Sequence, residues 1–201
     1  MTPKIILDTR NQKDGFVQEA LEKMGYSCLR SKLPFGDVAL STNILRCVDL
    51  KSSGGGLIEV AKNFCNQDHA RVRNEILNCF AADGEITFLC FEPNMASIED
   101  IPSWKVPTYK TDGWQKKYYV DGRWLTEKQA VQKGADLARA HSVIVNTHRA
   151  GTPMSKVAPM TLYKAIKTIT TPDRYVAGKT VHFEFATKEN CGQRIIEILT
   201  R

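Results

Sequence analysis

Residues 33–51 read LPFGDVALSTNILRCVDLK, and the reading of this stretch governs the rest of the chain. Turn formers at Pro34, Gly36 and Asn43 bracket two short apolar runs, Asp37–Ser41 and Leu45–Lys51, which predicts two strands in quick succession. Alternate residues of a strand share a face, so Asp49 and Lys51 point the same way from the second strand. Asp37 opens the first strand. Carboxylates on adjacent strands can meet at one divalent cation, and the lysine then stands beside it.

Upstream, Lys4–Asp8 is an apolar run ending in an acid. Asp14–Gly25 carries helical spacing (Phe16, Ala20, Leu21, Met24) stopped by glycine. Tyr26–Leu33 alternates like a strand, and with the two strands after it predicts an antiparallel meander. Downstream, Gly54–Gly56 breaks the pattern. Leu57–Asn63 and His69–Ala82 then read as helices, the second with Val72, Ile76, Leu77 and Phe80 on one face. Glu85–Glu92 (EITFLCFE) reads as a strand buried on both sides. After Pro159 come a helix over Met160–Thr170, a strand over Thr180–Phe185 and an amphipathic helix over Lys188–Leu199. The last strand and helix are expected to complete the sheet begun at residue 4.

With 201 residues, 42% hydrophobic and 25% charged, the chain has the make-up of one globular domain with room for an insertion. No apolar run approaches the roughly 20 residues that span a bilayer. Met1–Leu7 is too short, and too soon followed by Asp8, for a signal peptide, so a cytoplasmic or nucleoid-associated location is expected. Six scattered cysteines without a C-x-x-C pair read as buried reduced thiols, and the four histidines show no ligand spacing. The net charge of +6 is uneven: residues 1–93 hold 11 Lys+Arg against 12 Asp+Glu, residues 94–201 hold 17 against 10. Such asymmetry makes a polyanion the default partner.

The segments ILDTRNQ (6–12), LPFGDVAL (33–40), VDLKSSGGGLIEV (48–60), ARVRNEI (70–76) and TFLCFE (87–92) occur in an order that resembles the nuclease domain of the XPF-type structure-specific DNA endonucleases. That family is a branch of the PD-(D/E)XK superfamily, and the closing TVHFEFATKENCGQRIIEIL is similar to its last strand, turn and helix. The resemblance implies an α/β, restriction-endonuclease-like core, a central mixed sheet flanked by helices, over 1–93 and 160–201. It implies Mg²⁺- or Mn²⁺-dependent hydrolysis of phosphodiester bonds in branched, flap or junction DNA. Asp8, Asp37 and Asp49 would be the metal ligands, Lys51 the catalytic lysine, and Arg10 and Arg71 would contact nucleic acid, Glu75 completing the helix motif with Arg71.

Read by themselves, Asp8 and Asp37 have a turn-residue reading as the lesser alternative, and Arg71 and Glu75 are as well read as an i, i+4 surface pair. Asn11 stands where the family has glutamate, Asp49 replaces its glutamate, Leu50 replaces its arginine, and Ser52–Gly56 lacks the acid that commonly follows. These departures leave open an inactive or weak DNA-binding scaffold that supports a partner nuclease, and an RNA-directed nuclease of the same superfamily is a third reading. The helix-hairpin-helix module that often follows this domain is not seen before Arg201. DNA docking is therefore expected to use another surface, a second copy of the chain or a partner subunit.

Residues 94–159 read as an insertion, with a helix from about Thr126 to Ala140 and a loop at Thr147–Thr152 where phosphate contact is conceivable. From Ser103 to Thr180 there are 14 Lys+Arg against 5 Asp+Glu, interleaved with Trp104, Tyr109, Trp114, Tyr118, Tyr119 and Trp124. Lys116, Lys117 and Arg123 are expected to meet nucleic acid there. The competing reading has the aromatics packing a small core of the insertion itself.

Overall fold

The structure, a computed structural model, describes residues 3–11, 14–52, 56–65, 69–92, 97–103, 108–135, 157 and 159–201. The chain is α/β. Its elements begin with strand β1 (Ile5–Asp8), helix α1 (Gly15–Lys23) and strands β2 (Cys28–Ser31), β3 (Val38–Leu40) and β4 (Asn43–Lys51). Helices α2 (Gly56–Cys65) and α3 (His69–Ala81) and strand β5 (Glu85–Phe91) follow, then a 3₁₀ turn over Ile98–Ser103. Strands β6 (Thr108–Asp112), β7 (Gln115–Val120) and β8 (Arg123–Thr126) lead into α4 (Glu127–Gln132). Helix α5 (Pro159–Ile169), strand β9 (His182–Ala186) and helix α6 (Cys191–Leu199) close the chain.

Six strands form one mixed sheet in the order β2-β1-β3-β4-β5-β9. The predicted meander over the second, third and fourth strands is corrected here. β2 pairs in parallel with β1, not with β3, and β1 lies antiparallel to β3. The cause is α1, a crossover helix that carries the chain back so that β2 runs the same way as β1. Three successive strands do not reveal which of them are neighbours.

The β3–β4 hairpin was correctly read, and β5 and β9 continue the sheet in parallel from β4. Helices cover both faces, which explains why β5 is an unbroken apolar run. On one face α2, α3 and α5 bury Leu57, Val60, Phe64, Val72, Ile76, Leu162 and Ile166 against Ala39, Cys47, Ile86, Phe88 and Cys90. On the other, α1 and α6 bury Val17, Leu21, Ile195 and Leu199 against Ile5, Leu7, Val38, Val48, Leu50 and Leu89. The 3₁₀ turn also belongs to the first of these cores, because Ile101 is fully buried in it.

The basic region contains a second, three-stranded antiparallel sheet, β6-β7-β8, which the sequence reading did not anticipate. Its turns carry the signal that was missed. Asp121 (φ 49°) and Gly122 (φ 78°) form a two-residue Asp-Gly hairpin turn, and Gly113 (φ 58°) sits in the other. The long helix expected from Thr126 is also corrected. Thr126 caps it in a capping box with Gln129, but it stops at Gln132, where Gly134 turns left-handed at φ 74°. Residues 136–140, Trp104 and the Thr147–Thr152 loop lie outside the described residues. No helix among the described residues is long and apolar enough to cross a membrane.

Candidate active site

The β3–β4 hairpin builds the site by backbone pairing first. Asp37 N–H donates to Val48 O (2.8 Å), and Asp8 N–H donates to Asp37 O (2.8 Å), which fixes the start of β3 between its neighbours. Gly36 makes the approach possible. It adopts φ 67°, and an added Cβ would fall 2.8 Å from Cys47 Sγ and 2.9 Å from Cys47 Cβ. No larger residue fits there without movement. Asp37 then turns its side chain across the hairpin, where Oδ2 accepts a hydrogen bond from Leu50 N–H (2.8 Å).

Asp49 and Lys51 follow Cys47 on the same face of β4, so two polar groups extend a row that is otherwise core. They are 4% and 3% exposed, and Lys51 Nζ donates to Asp49 Oδ1. The ammonium also lies 5.1 Å from the centre of the Phe88 ring. Burial works against the Lys51 charge, but Asp49 outweighs it and raises the lysine above its ordinary pKa. The end of β4 is clamped from beyond. Ser52 N–H donates to Glu59 Oε2 (3.0 Å), and Leu57 N–H donates to the buried Glu92 Oε1 (3.0 Å). Gly56 lets α2 press close, since a Cβ there would meet Lys51 O at 2.7 Å and Phe91 O at 2.6 Å.

Around these residues lies an open cleft of about 740 Å³. The tip before β3 (Pro34–Asp37), the end of β4 (Asp49–Ser52), Glu59, and Arg71, Asn74, Glu75 and Asn78 of α3 line it, with Arg10 and Asn11 at one side. Glu75 is half-buried, and its Oε1 accepts from Gly36 N–H (3.0 Å). Burial and the nearby Asp49 charge both push the Glu75 carboxyl up. Asp37 is driven further, to about 8, by burial and by Asp49, against the pull of the Leu50 hydrogen bond and Lys51. These three acids repel one another across one cleft.

The structure does not bring Asp8 to them. Its carboxylate is buried and takes four donors: Arg10 N–H (2.7 Å), Arg10 Nε (2.9 Å), Arg10 Nη2 (2.6 Å) and Leu33 N–H (2.9 Å). Burial by itself would raise Asp8, but these hydrogen bonds hold it below its ordinary pKa. Asp8 therefore fastens the end of β1 to the segment before β3 and aims Arg10, which does line the cleft. Arg71 makes the i, i+4 pair the sequence allowed. It pairs with Glu75 at 3.5 Å and also stands on the cleft wall, with Nη2 donating to Asn63 Oδ1 (3.3 Å).

Sequence reading left Glu75 out of the metal set and missed Glu59, Asn74 and Asn78. The available signal was the helical spacing of Arg71, Asn74, Glu75 and Asn78, which puts all four on one face of α3. Among the described residues no three acidic, His or Cys side chains form a ready-made metal cage. The donor chemistry fits a two-carboxylate ion. Asp37 Oδ1 and Asp49 Oδ2 make no hydrogen bond among the described residues, and Mg²⁺ is commonly held by one or two carboxylates plus water and phosphate oxygens.

Lys116, Lys117 and Arg123 stand on β7 and β8, and Lys117 pairs with Asp112 at 2.6 Å. No known protein-family model matches this sequence, and no curated protein matches it either.

Proposed function

We propose that this chain is a Mg²⁺- or Mn²⁺-dependent endonuclease with a restriction-endonuclease-like core of XPF type, cutting branched, flap or junction DNA. One observation carries the reading: the β3–β4 hairpin sets Asp37 beside Asp49, with Lys51 paired to Asp49, in an open cleft at the end of a buried strand. The sequence motifs supply the class. Asp37 and Asp49 would hold the ion through the oxygens not engaged by Leu50 and Lys51. The chemistry such an ion supplies is an activated water and neutralised charge on the phosphate and leaving oxygen.

Lys51 then orients the attacking water and offsets charge building on the phosphate, which its position on Asp49 suits. Arg10 and Arg71, both on the cleft wall, would hold flanking phosphates. Asp8 serves as a positioning residue for Arg10 in this scheme, and Glu75 takes the place of the third acid.

The test is cleavage of end-labelled flap, splayed-arm, four-way-junction, single-stranded and duplex DNA with Mg²⁺ or Mn²⁺. Wild type is expected to cut a branched substrate, leaving a 5′-phosphate and 3′-hydroxyl. Asp49→Ala and Lys51→Ala should each lose about 10²–10⁴-fold in rate. Melting supplies a second readout: Mg²⁺ or Mn²⁺ should raise the Tm of wild type and not of Asp37→Asn. Tight DNA binding with neither cutting nor a metal shift would overturn the reading in favour of a scaffold for a partner nuclease, a reading to which Asn11 and Leu50 already lean.

A further inference from the structure

The second sheet separates its residues by face. Cross-strand register sets Tyr119 opposite Trp124, and Lys117 opposite both Lys110 and Thr126. Alternation therefore places Lys110, Asp112, Lys117, Tyr119 and Trp124 on one face, with Lys117 paired to Asp112, and Lys116, Tyr118, Val120, Arg123 and Leu125 on the other. The second face has a use within the fold: Tyr118 is fully buried with Ala130 of α4, and Val120 and Leu125 pack against them.

The first face has no such use among the described residues. Tyr119 and Trp124 are 46% and 42% exposed, with ring centres 5.2 Å apart. Lys110 Nζ lies 4.6 Å from the centre of the Trp124 ring, and Trp114 stands fully exposed at the β6–β7 turn. The competing expectation, that the insertion's aromatics form its core, thus holds for Tyr118 and fails for these three.

Exposed large aromatics grouped together mark a contact surface. Their setting identifies the chemistry. An aromatic pair edged by two lysines offers rings for bases and ammonium groups for phosphates, the combination that binds unpaired strands without sequence preference. An apolar protein partner would bury the Lys110 ammonium with only the Trp124 ring against it, and the Lys117 ammonium with only Asp112. A duplex would offer its phosphates and leave the rings unstacked, since its base faces are already paired off in the stack.

We infer that the outer face of β6-β7-β8, through Tyr119 and Trp124 with Lys110 and Lys117, is a stacking platform for single-stranded nucleic acid. Lys116 and Arg123, expected from sequence to share this task, lie on the opposite face and contribute only general charge. The inference stands apart from the catalytic reading, because strand binding here needs no metal and no cut.

The experiment measures fluorescence anisotropy of labelled oligothymidylate and of a matched duplex with the full chain in EDTA, so cleavage cannot enter. The single strand should bind more tightly than the duplex. Trp124→Leu and Tyr119→Leu should each weaken it about tenfold, as loss of one base–aromatic stack does, whereas Trp124→Phe should keep most of the affinity. Lys117→Glu should weaken binding and reduce its salt dependence, and Lys116→Ala should change it by no more than about twofold.

Equal loss in Trp124→Leu and Trp124→Phe, or none in either, would overturn the platform, as would equal affinity for the duplex. Melting and circular dichroism of each variant separate folding from binding: if Trp124→Leu alone unfolds the small sheet, the pair is core and the inference fails. Sedimentation covers the remaining occupant. A dimer that Trp124→Leu dissociates without changing strand affinity would assign the face to a second copy instead.

Discussion

Two ion pairs contrast the two sheets of this molecule. Lys51 and Asp49 sit at the end of a central strand with side chains 3% and 6% exposed, whereas Lys117 and Asp112 lie on the small sheet at 35% and 56%. Both are lysine–aspartate pairs on β-strands. In the first, packing on both sides removes water and holds two charges at the edge of a cleft. In the second, solvent remains and the lysine is free to exchange partners. The same pair is thus buried and held beside a cleft in one sheet, and solvated in the other.

The sharpest way to break the comparison is to neutralise each lysine. Lys51→Met should strand a buried Asp49 carboxylate and cost about 3–5 kcal/mol in urea unfolding. Lys117→Met should leave the unfolding midpoint where it is. Equal effects would mean that the two pairs do not differ in environment.

Glycines extend the contrast with a smaller effect. Gly36→Ala forces a left-handed φ on alanine and drives a Cβ against Cys47, so a loss of about 2–4 kcal/mol is expected, together with lower cleavage as Asp37 shifts. Gly113→Ala meets nothing within 4 Å and should cost only the φ penalty, about 1–2 kcal/mol. Thermal melts of the two variants side by side check the ranking.

The acids provide the finest test, through pH. Asp37 is raised to about 8 in the folded chain, above its ordinary value, so between that value and 8 the native state holds a proton the unfolded chain has lost. Stability without metal should therefore fall as pH rises from about 5 to 8. Asp37→Asn should flatten this slope and be more stable than wild type at pH 8 by about 1–3 kcal/mol. Asp8 has the opposite sign. Its lowered pKa means its stabilisation is present at neutral pH and is lost only as pH falls below the ordinary aspartate range. Asp8→Asn should accordingly weaken the protein at pH 7 and leave the 5–8 slope intact.

Most of the core was legible because its signals are local. EITFLCFE could only be a strand covered on both sides, Val72, Ile76 and Phe80 mark one face of α3, and period two puts Asp49 with Lys51. Other features depended on distant segments. Asp8 follows an apolar strand just as a metal ligand would, and only the return of Leu33 and the reach of Arg10 show its four acceptor positions filled. Glu75 read as either a surface partner or a helix-motif residue near the site, and α3 laid across the hairpin brings it to Gly36 N–H. The small sheet was hidden for a different reason: its strands are short and mix lysines and aromatics across both faces, so hydrophobic period is weak and the glycine-containing turns at Gly113 and Asp121–Gly122 are what announce it.

By itself, then, the sequence determined where the chain is helical or extended in the core, that Asp37, Asp49 and Lys51 stand at two successive strands, and that the basic charge belongs to the second half. These follow from side-chain period and composition, which need no knowledge of neighbours. Only the tertiary structure decided that β2 joins β1, that Glu75 and not Asp8 faces Asp49, and that Tyr118 is core while Tyr119 is surface. Each of those is a choice between partners far apart in the chain, and such choices are made by burial and by competition for hydrogen bonds.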